Sequence, residues 1–453
     1  MNDLHIPATD VAPSSPLPHR RLRSLPSVWS RTQLLPALSA LTLVLAACCN
    51  LIDVSGSGLE QVQLSGHVMI KLGISALVAA LAVWSLLAVP RVGQILTTPA
   101  GLLLLALAAV LMATSAVAIG EVANVSRFAA LNFLLSLCFV TACLVCWGAD
   151  RLAGYVLVGC VAFLLGSWLV YWLVPSVGVY VEHLNPDTAF RRMAGLAHPN
   201  GLGRLAMLSV ILSLALVRRG HCHRRWLLLI VALGLATAAM AFSRTAILAG
   251  AAGLLVLFLD RLPTRRGVLM GLAAMVIGLT GWLAVELTTG SDVLGRLLVA
   301  TGTKTGHLDE LTSATGRTAI WSEALRLSSQ RPITGYGLNS GPVLLTDFSQ
   351  HTHNMLLHPL LSGGILAGGL MAVIVLFNLL VSLRSPHPLI RSVTAFLLVS
   401  GLFEDTVLGT FPGPPTILWL VVTLYPAINW TLGPLVSPSL REGREGTSGE
   451  GSL

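Results

Sequence analysis

The sequence predicts an all-α polytopic membrane protein: about 12 transmembrane helices, with one large outer loop containing short amphipathic helices. Three observations predict this fold class. Of the 453 residues, 54% are hydrophobic and only 11% are charged, against about 25% charged in a soluble domain. Apolar runs of roughly 20 residues, the length that crosses a bilayer core, recur along the chain. The basic residues fall in short clusters between those runs, as topology signals do. The formal net charge of +8 is therefore no sign of a nucleic-acid partner.

The runs fall near 33–52, 68–89, 100–119, 128–147, 153–174, 201–217, 226–243, 245–259, 267–287, 355–381, 392–410 and 414–430. Only Ser243-Arg244-Thr245 separates the seventh from the eighth. With the N-terminus inside, alternation puts 17 of the 28 Lys and Arg residues on the inner side, as the positive-inside rule asks. They include Arg20, Arg21, Arg23, Arg31, Arg151, Arg218, Arg219, Arg384 and Arg391. Both termini are then cytoplasmic. The chain divides into a basic tail (1–32), an N-terminal transmembrane bundle (33–174), a second transmembrane region (175–430) with the outer loop 288–353, and a Gly/Glu/Ser-rich tail (431–453) of disorder-prone composition. The first apolar run is too long for a signal-peptide core and lacks a small-residue cleavage site, so it reads as an uncleaved span.

Six of the seven cysteines lie in apolar runs and Cys222 in a basic loop. They read as small apolar residues, Cys143-x-x-Cys146 included. In the large loop, 317–329 places Ile320, Ala324, Leu325 and Leu327 at helical spacing, Pro332 ends the helix, and Gly335-Tyr336-Gly337 makes a turn.

The candidate chemistry lies in cations on the outer side, where the orientation rule disfavours them. Long loops explain Arg296, Arg326 and Arg331. They do not explain Arg244, which has no loop around it; it either snorkels or meets a buried anion. Arg191 and Arg192 precede His198-Pro199-Asn200-Gly201 at a helix start, where free N–H groups and the helix dipole favour anions. Guanidinium forks bind phosphate oxygens two at a time. Arg191 or Arg192, Arg244 and Arg317 on one face would make a diphosphate site. His351, His353 and His358 cluster where the loop meets the tenth run. Their spacing does not put two ligands on one helical face, so no metal site is expected. His353, beside Asn354, is a candidate general base or a helix-capping residue. Glu404 and Asp405 lie inside the eleventh run and are expected to pair inward.

Several stretches together resemble the Wzy/O-antigen ligase superfamily of bacterial polysaccharide assembly. They are Leu311-Thr-Ser-Ala-Thr-Gly316-Arg317-Thr-Ala-Ile-Trp321, Arg331-Pro332-Ile-Thr-Gly335-Tyr-Gly337, His353-Asn354, Gly363-Gly364 to Gly368-Gly369, Ser243-Arg244-Thr245, and Arg192-x-x-Gly195-x-x-His198-Pro199-Asn200. The resemblance covers roughly residues 190–370, and the first five runs show nothing diagnostic. It implies an inverting glycosyltransferase of the bacterial inner membrane, working at the periplasmic face without cofactor or metal. The donor would be an undecaprenyl-diphosphate-linked glycan. The stretch from Leu311 to Gly337 and the acidic pair in the eleventh run resemble the polymerases more, so the acceptor would be a sugar hydroxyl on a growing exopolysaccharide or O-antigen; the alternative is a ligase, with lipid A-core as acceptor. His353 would be the catalytic base. Arg191 or Arg192, Arg244 and Arg317 would hold the diphosphate, supported by His198, Asn200, Asn354 and Glu404. A transporter or a flippase of lipid-linked glycans is the alternative from another class. Against it, the polar residues gather at one face and no pair of broken spans recurs in two halves.

Overall fold

The structure is a computed structural model describing residues 34–52, 66–120, 122–185, 188–221, 223–259, 317–346, 349, 351–405 and 407–432. Its helices are α1 (Leu34–Cys49), α2 (Gly66–Ala88), α3 (Pro90–Leu96), α4 (Pro99–Ala116), α5 (Val122–Leu173), α6 (Pro175–Gly178), α7 (Pro199–Arg218), α8 (Arg224–Ala241), α9 (Arg244–Leu259), α10 (Arg317–Gln330), α11 (Gly341–Leu344), α12 (Leu357–Arg384), α13 (Pro388–Phe403) and α14 (Pro414–Leu432). One hairpin, β1 (Val179–Asn185) with β2 (Thr188–Met193), stands between α6 and α7.

Among the described residues, six helices are long and apolar enough to cross a membrane: α2, α4, α5, α7, α8 and α12. Six is a count by length and composition over the described residues, and it neither reaches nor contradicts the expected twelve. α5 alone covers the fourth and fifth predicted runs. Its 52 residues would extend about 78 Å if straight, and non-helical backbone at Gly148 breaks it between the two runs. α1, α9 and α13, and α14 as far as Ile428, are apolar but shorter. The run 267–287 lies outside the described residues, as do the two tails, the segment 53–65 and the motif residues 311–316.

α5 packs against α1, α2, α4, α7 and α14, while α7 packs against α8, α9 and α13, and α9 against α13. Buried side chains such as Phe163, Phe396, Leu104 and Trp419 fill the space between them. Gly203 on α7 permits one close approach: a Cβ there would lie 2.7 Å from the Ser243 Cβ. That contact seats the α8–α9 junction against the start of α7.

α12 is interrupted by non-helical backbone at Gly363 and Gly364. A broken helix in a bundle must have its freed backbone groups satisfied by other protein. The segment after α10 does this. Gly337 N–H donates to Ser362 O, Tyr336 N–H to Leu361 O, and Ile365 N–H to Pro332 O. Gly364 adopts φ +65, and a Cβ on it would lie 2.4 Å from the Pro332 and Ile333 carbonyls. The Gly335-Tyr336-Gly337 turn and the glycines of α12 are therefore one structural unit, which fixes α10 over the bundle.

The chain is mostly helical, as the sequence predicts, and the outer segment 175–200 adds one β-hairpin to it. One expectation is corrected here. The eleventh run, 392–410, stops being helical at Phe403, so Glu404 and Asp405 lie beyond the helix end. A smaller difference concerns α10: Ile320, Ala324 and Leu327 are buried as expected, but Leu325 is 50% exposed.

Candidate functional site

Glu404 is the hub of the site. It is 4% exposed and is the C-cap of α13 in extended conformation. Three cationic or ionisable groups converge on its carboxylate. Arg204 Nη1 lies 2.8 Å from Oε2, Arg317 Nη2 donates to Oε1 at 3.0 Å, and His353 Nδ1 is 2.9 Å from Oε2. Asn200 Nδ2 adds a long contact of 3.5 Å to Oε1. Burial alone would raise the Glu404 carboxyl. Arg204, the His353 hydrogen bond and Arg317 outweigh it and hold the group well below the usual carboxylate range.

His353 is placed by its loop. Its backbone has φ +49, a conformation uncommon for a side-chain-bearing residue and one that surrounding contacts must impose. Those contacts are present. Trp321 Nε1 on α10 donates to Thr352 O at 3.1 Å. Asn354 Oδ1 accepts the N–H groups of Leu356 and Leu357 at 2.9 and 3.1 Å, fixing the turn that leads into α12. Asn354 Nδ2 donates to Leu402 O, and Met355 N–H donates to Gly401 O. The His353 loop is thereby stitched to the end of α13 that carries Glu404. On the other ring edge, His353 Nε2 lies 3.0 Å from Ser349 Oγ. With Glu404 ionised, Nδ1 carries the proton and Nε2 is the basic nitrogen.

Arg192 is also buried, at 3% exposure, but it is occupied by protein. Its Nε donates to Ala241 O, Nη1 to Glu182 Oε2, and Nη2 to Asn200 Oδ1 and Phe242 O. Four acceptors leave little of the five-donor fork. Two of them are carbonyls at the C-terminal end of α8, where the helix dipole favours a cation. Burial lowers the Arg192 pKa and Glu182 opposes that shift, while the nearby charge of Arg244 adds to it. Strand alternation separates the neighbours: Arg192 pairs across from Tyr180 and turns inward, whereas Arg191 pairs across from Val181 and is exposed. Arg191 is thus turned away from the cluster around Arg192.

Arg244 opens α9 and is half-buried. Its charge bears on both Arg192 and Arg317. Arg317, the first residue of α10, also lies 5.8 Å from the Phe403 ring centroid. Burial lowers its pKa and Glu404 opposes this, while Arg204 and Arg244 lower it further. Arg204 and Arg317 thus meet at Glu404, while the charge of Arg244 couples Arg317 to Arg192, whose own carboxylate partner is Glu182.

A cavity of about 550 Å³ opens beside this cluster. His353, Glu404, Arg204, Asn200 and His198 line one wall, with Ser349, His351 and Asp405 close by. Asn50, Lys71, Thr410 and Phe411 line it as well. Arg192, Arg244 and Arg317 do not line it. His198 is the N-cap of α7, with Nδ1 accepting from Asn200 N–H at 3.3 Å, and its ring meets Tyr180 edge-on at 5.1 Å. Asp405 lies 3.6 Å from His351 Nδ1 and 3.3 Å from His358 Nδ1.

The structure thus joins His353, Arg192, Arg317, Asn200, Asn354 and Glu404, and brings Arg244 within electrostatic range. Arg204, Ser349, Asn50 and Lys71 are additions. Arg204 stands four residues after Asn200 on one face of α7, the spacing that makes side chains neighbours. Lys71 stands alone in an apolar helix, a signal in itself.

Residues 229–372 match the family model described as O-antigen ligase. The matched stretch includes Arg244, Arg317 and His353 and leaves out Arg192, Arg204, Glu404 and Lys71. None of the curated proteins matches the chain.

Proposed function

We propose that this chain, whose residues 229–372 match the O-antigen ligase family model, is an enzyme of the Wzy/O-antigen ligase superfamily that transfers a glycan from undecaprenyl diphosphate to a sugar hydroxyl at the periplasmic face of the inner membrane. The observation that carries this reading is the His353–Glu404 pair, set at 2.9 Å beside Arg204 and Arg317 on the edge of a cavity. A base oriented by a carboxylate and flanked by cations suits attack by a hydroxyl on a carbon whose leaving group is anionic.

The acceptor hydroxyl takes the place that Ser349 Oγ holds on His353 Nε2 and gives its proton to that nitrogen. Glu404 accepts the Nδ1 hydrogen bond and balances the imidazolium that forms. The hydroxyl oxygen bonds to the anomeric carbon as the carbon–diphosphate bond breaks, so the configuration inverts. Negative charge grows on the leaving diphosphate. Arg204, with Arg244 and Arg317 behind it, stabilises that charge in a site already organised before reaction. Arg192 acts one step back. It holds Asn200 and the end of α8 in place, and Arg191 has no part.

Two ionic clusters support the assigned side. α7 and α13 each have one end at Glu404. Their other ends, at Arg219 and His387, meet Asp150 at 3.2 and 3.4 Å. α7 has 20 residues and spans about 30 Å, the thickness of a bilayer core. The Asp150 end carries Arg218, Arg219 and Arg391, as a cytoplasmic end does, which supports a periplasmic side for the Glu404 end.

We propose that it is a polymerase joining lipid-linked repeat units of exopolysaccharide or O-antigen, a reading supported by the polymerase-like stretch from Leu311 to Gly337 and the acidic pair Glu404-Asp405. A deletion strain examined by gel tests this. Loss of polymer with accumulation of single repeat units is the expected result. Long chains left on undecaprenyl diphosphate would make it a ligase. Unchanged glycans with altered solute uptake would overturn the enzyme reading altogether.

A further inference from the structure

The cavity has a second chemical wall, contributed by the N-terminal bundle and lying outside the stretch 229–372. Lys71, on the second turn of α2, lines the cavity with its ammonium 5.5 Å from the Phe411 ring centroid. Ionisable residues placed in apolar spans face the interior and mark substrate paths. Asn50, just past the end of α1, lines the same cavity and is 8% exposed. Its Nδ2 donates to Pro412 O at 2.7 Å. Its Oδ1 is buried with no hydrogen-bond partner among the described residues, and such an acceptor calls for a donor.

A diphosphate fits this pair poorly. Fully ionised, it offers oxygens to Lys71 but no hydrogen to Asn50. An acidic sugar offers both, a carboxylate and ring hydroxyls. We propose that Asn50 and Lys71 form a subsite for a carboxylated sugar of the glycan substrate. The Lys71 ammonium pairs with the carboxylate, Asn50 Oδ1 accepts a ring hydroxyl, and the Tyr180–His198 ring pair supplies apolar surface for the sugar's C–H face. This rests on the glycan-transfer reading above.

The test is competition binding, read by saturation-transfer NMR, on the full chain in detergent. The probes are methyl β-glucuronide, methyl β-glucoside and inorganic pyrophosphate. One charge-assisted hydrogen bond corresponds to about tenfold or more in affinity. Wild type should therefore prefer the glucuronide by about that factor. Lys71→Met should abolish the preference and leave pyrophosphate binding unchanged, while Lys71→Arg should keep it. Asn50→Leu should weaken both glycosides alike. Equal binding of the two glycosides by wild type would overturn the proposal. So would a preference that survives Lys71→Met, or a Lys71→Met variant that loses pyrophosphate instead. No transfer is needed for this readout. Failure of transfer in a reconstituted assay would count against the enzyme reading separately.

Discussion

Replacing Glu404 by Gln probes the hub of the site with almost no change of shape. The carboxylate meets Arg204, Arg317 and His353 at 2.8, 3.0 and 2.9 Å and is 4% exposed. An amide keeps one acceptor oxygen and turns an NH₂ group toward Arg317, or toward Arg204 and His353, and it gives no charge to the contacts it keeps, so the loss amounts to about two charge-assisted contacts. At about 1.5–3 kcal/mol for each charge-assisted hydrogen bond, the gross loss is about 3–6 kcal/mol. That agrees with the roughly 3–5 kcal/mol known for breaking a buried ion pair from one side. The catalytic loss is separate. Without a carboxylate on Nδ1, His353 loses its tautomer and orientation, which costs about 10⁴-fold in a comparable Asp–His pair. Thermal unfolding in detergent measures the first effect, and glycan transfer in reconstituted vesicles the second. Adding Arg204→Gln should restore part of the lost stability, because the uncompensated cation is removed with its partner. The reasoning is refuted if Glu404→Gln unfolds like wild type and transfers glycan at an undiminished rate.

Other predictions follow from single contacts. Arg192→Ala should destabilise the protein by about 3 kcal/mol in thermal unfolding, through four lost donors, whereas Arg191→Ala should stay within about 0.5 kcal/mol of wild type. Gly364→Ala meets two carbonyls at 2.4 Å with φ +65 and should cost about 1–3 kcal/mol or more, visible as faster proteolysis of the segment around Pro332. Because Glu404 is depressed when folded, its stabilisation is present above the unfolded value of 4.5 and is lost only as pH falls through the lower folded value. The unfolding-temperature gap between wild type and Glu404→Gln should hold from about pH 8 to about pH 5 and close only in stronger acid.

Much of this architecture is legible in the sequence, since apolar runs report helices directly and α10 was marked by its spacing and by Pro332. The hairpin was hidden inside a loop reading. Its signals were there: β-branched and aromatic residues on both sides of Asn185-Pro186-Asp187, a turn-forming sequence. Without the hairpin register, nothing distinguishes Arg191 from Arg192; with it, strand alternation decides at once. Glu404 stood out as an acid in an apolar run. Its position beyond the helix end was masked, because Leu402, Phe403, Val407 and Leu408 keep the stretch apolar on both sides. Arg204 was readable from its spacing to Asn200. The pairing of the Gly335 turn with the broken helix α12 was not, because it joins segments whose contact only the fold creates.

The most direct test of the central claim is transfer from a purified undecaprenyl-diphosphate-linked repeat unit, by full-length protein in vesicles, comparing wild type with His353→Ala. The account predicts product of inverted anomeric configuration from wild type, and none from a variant that inserts and unfolds like wild type. Normal product from His353→Ala would contradict it.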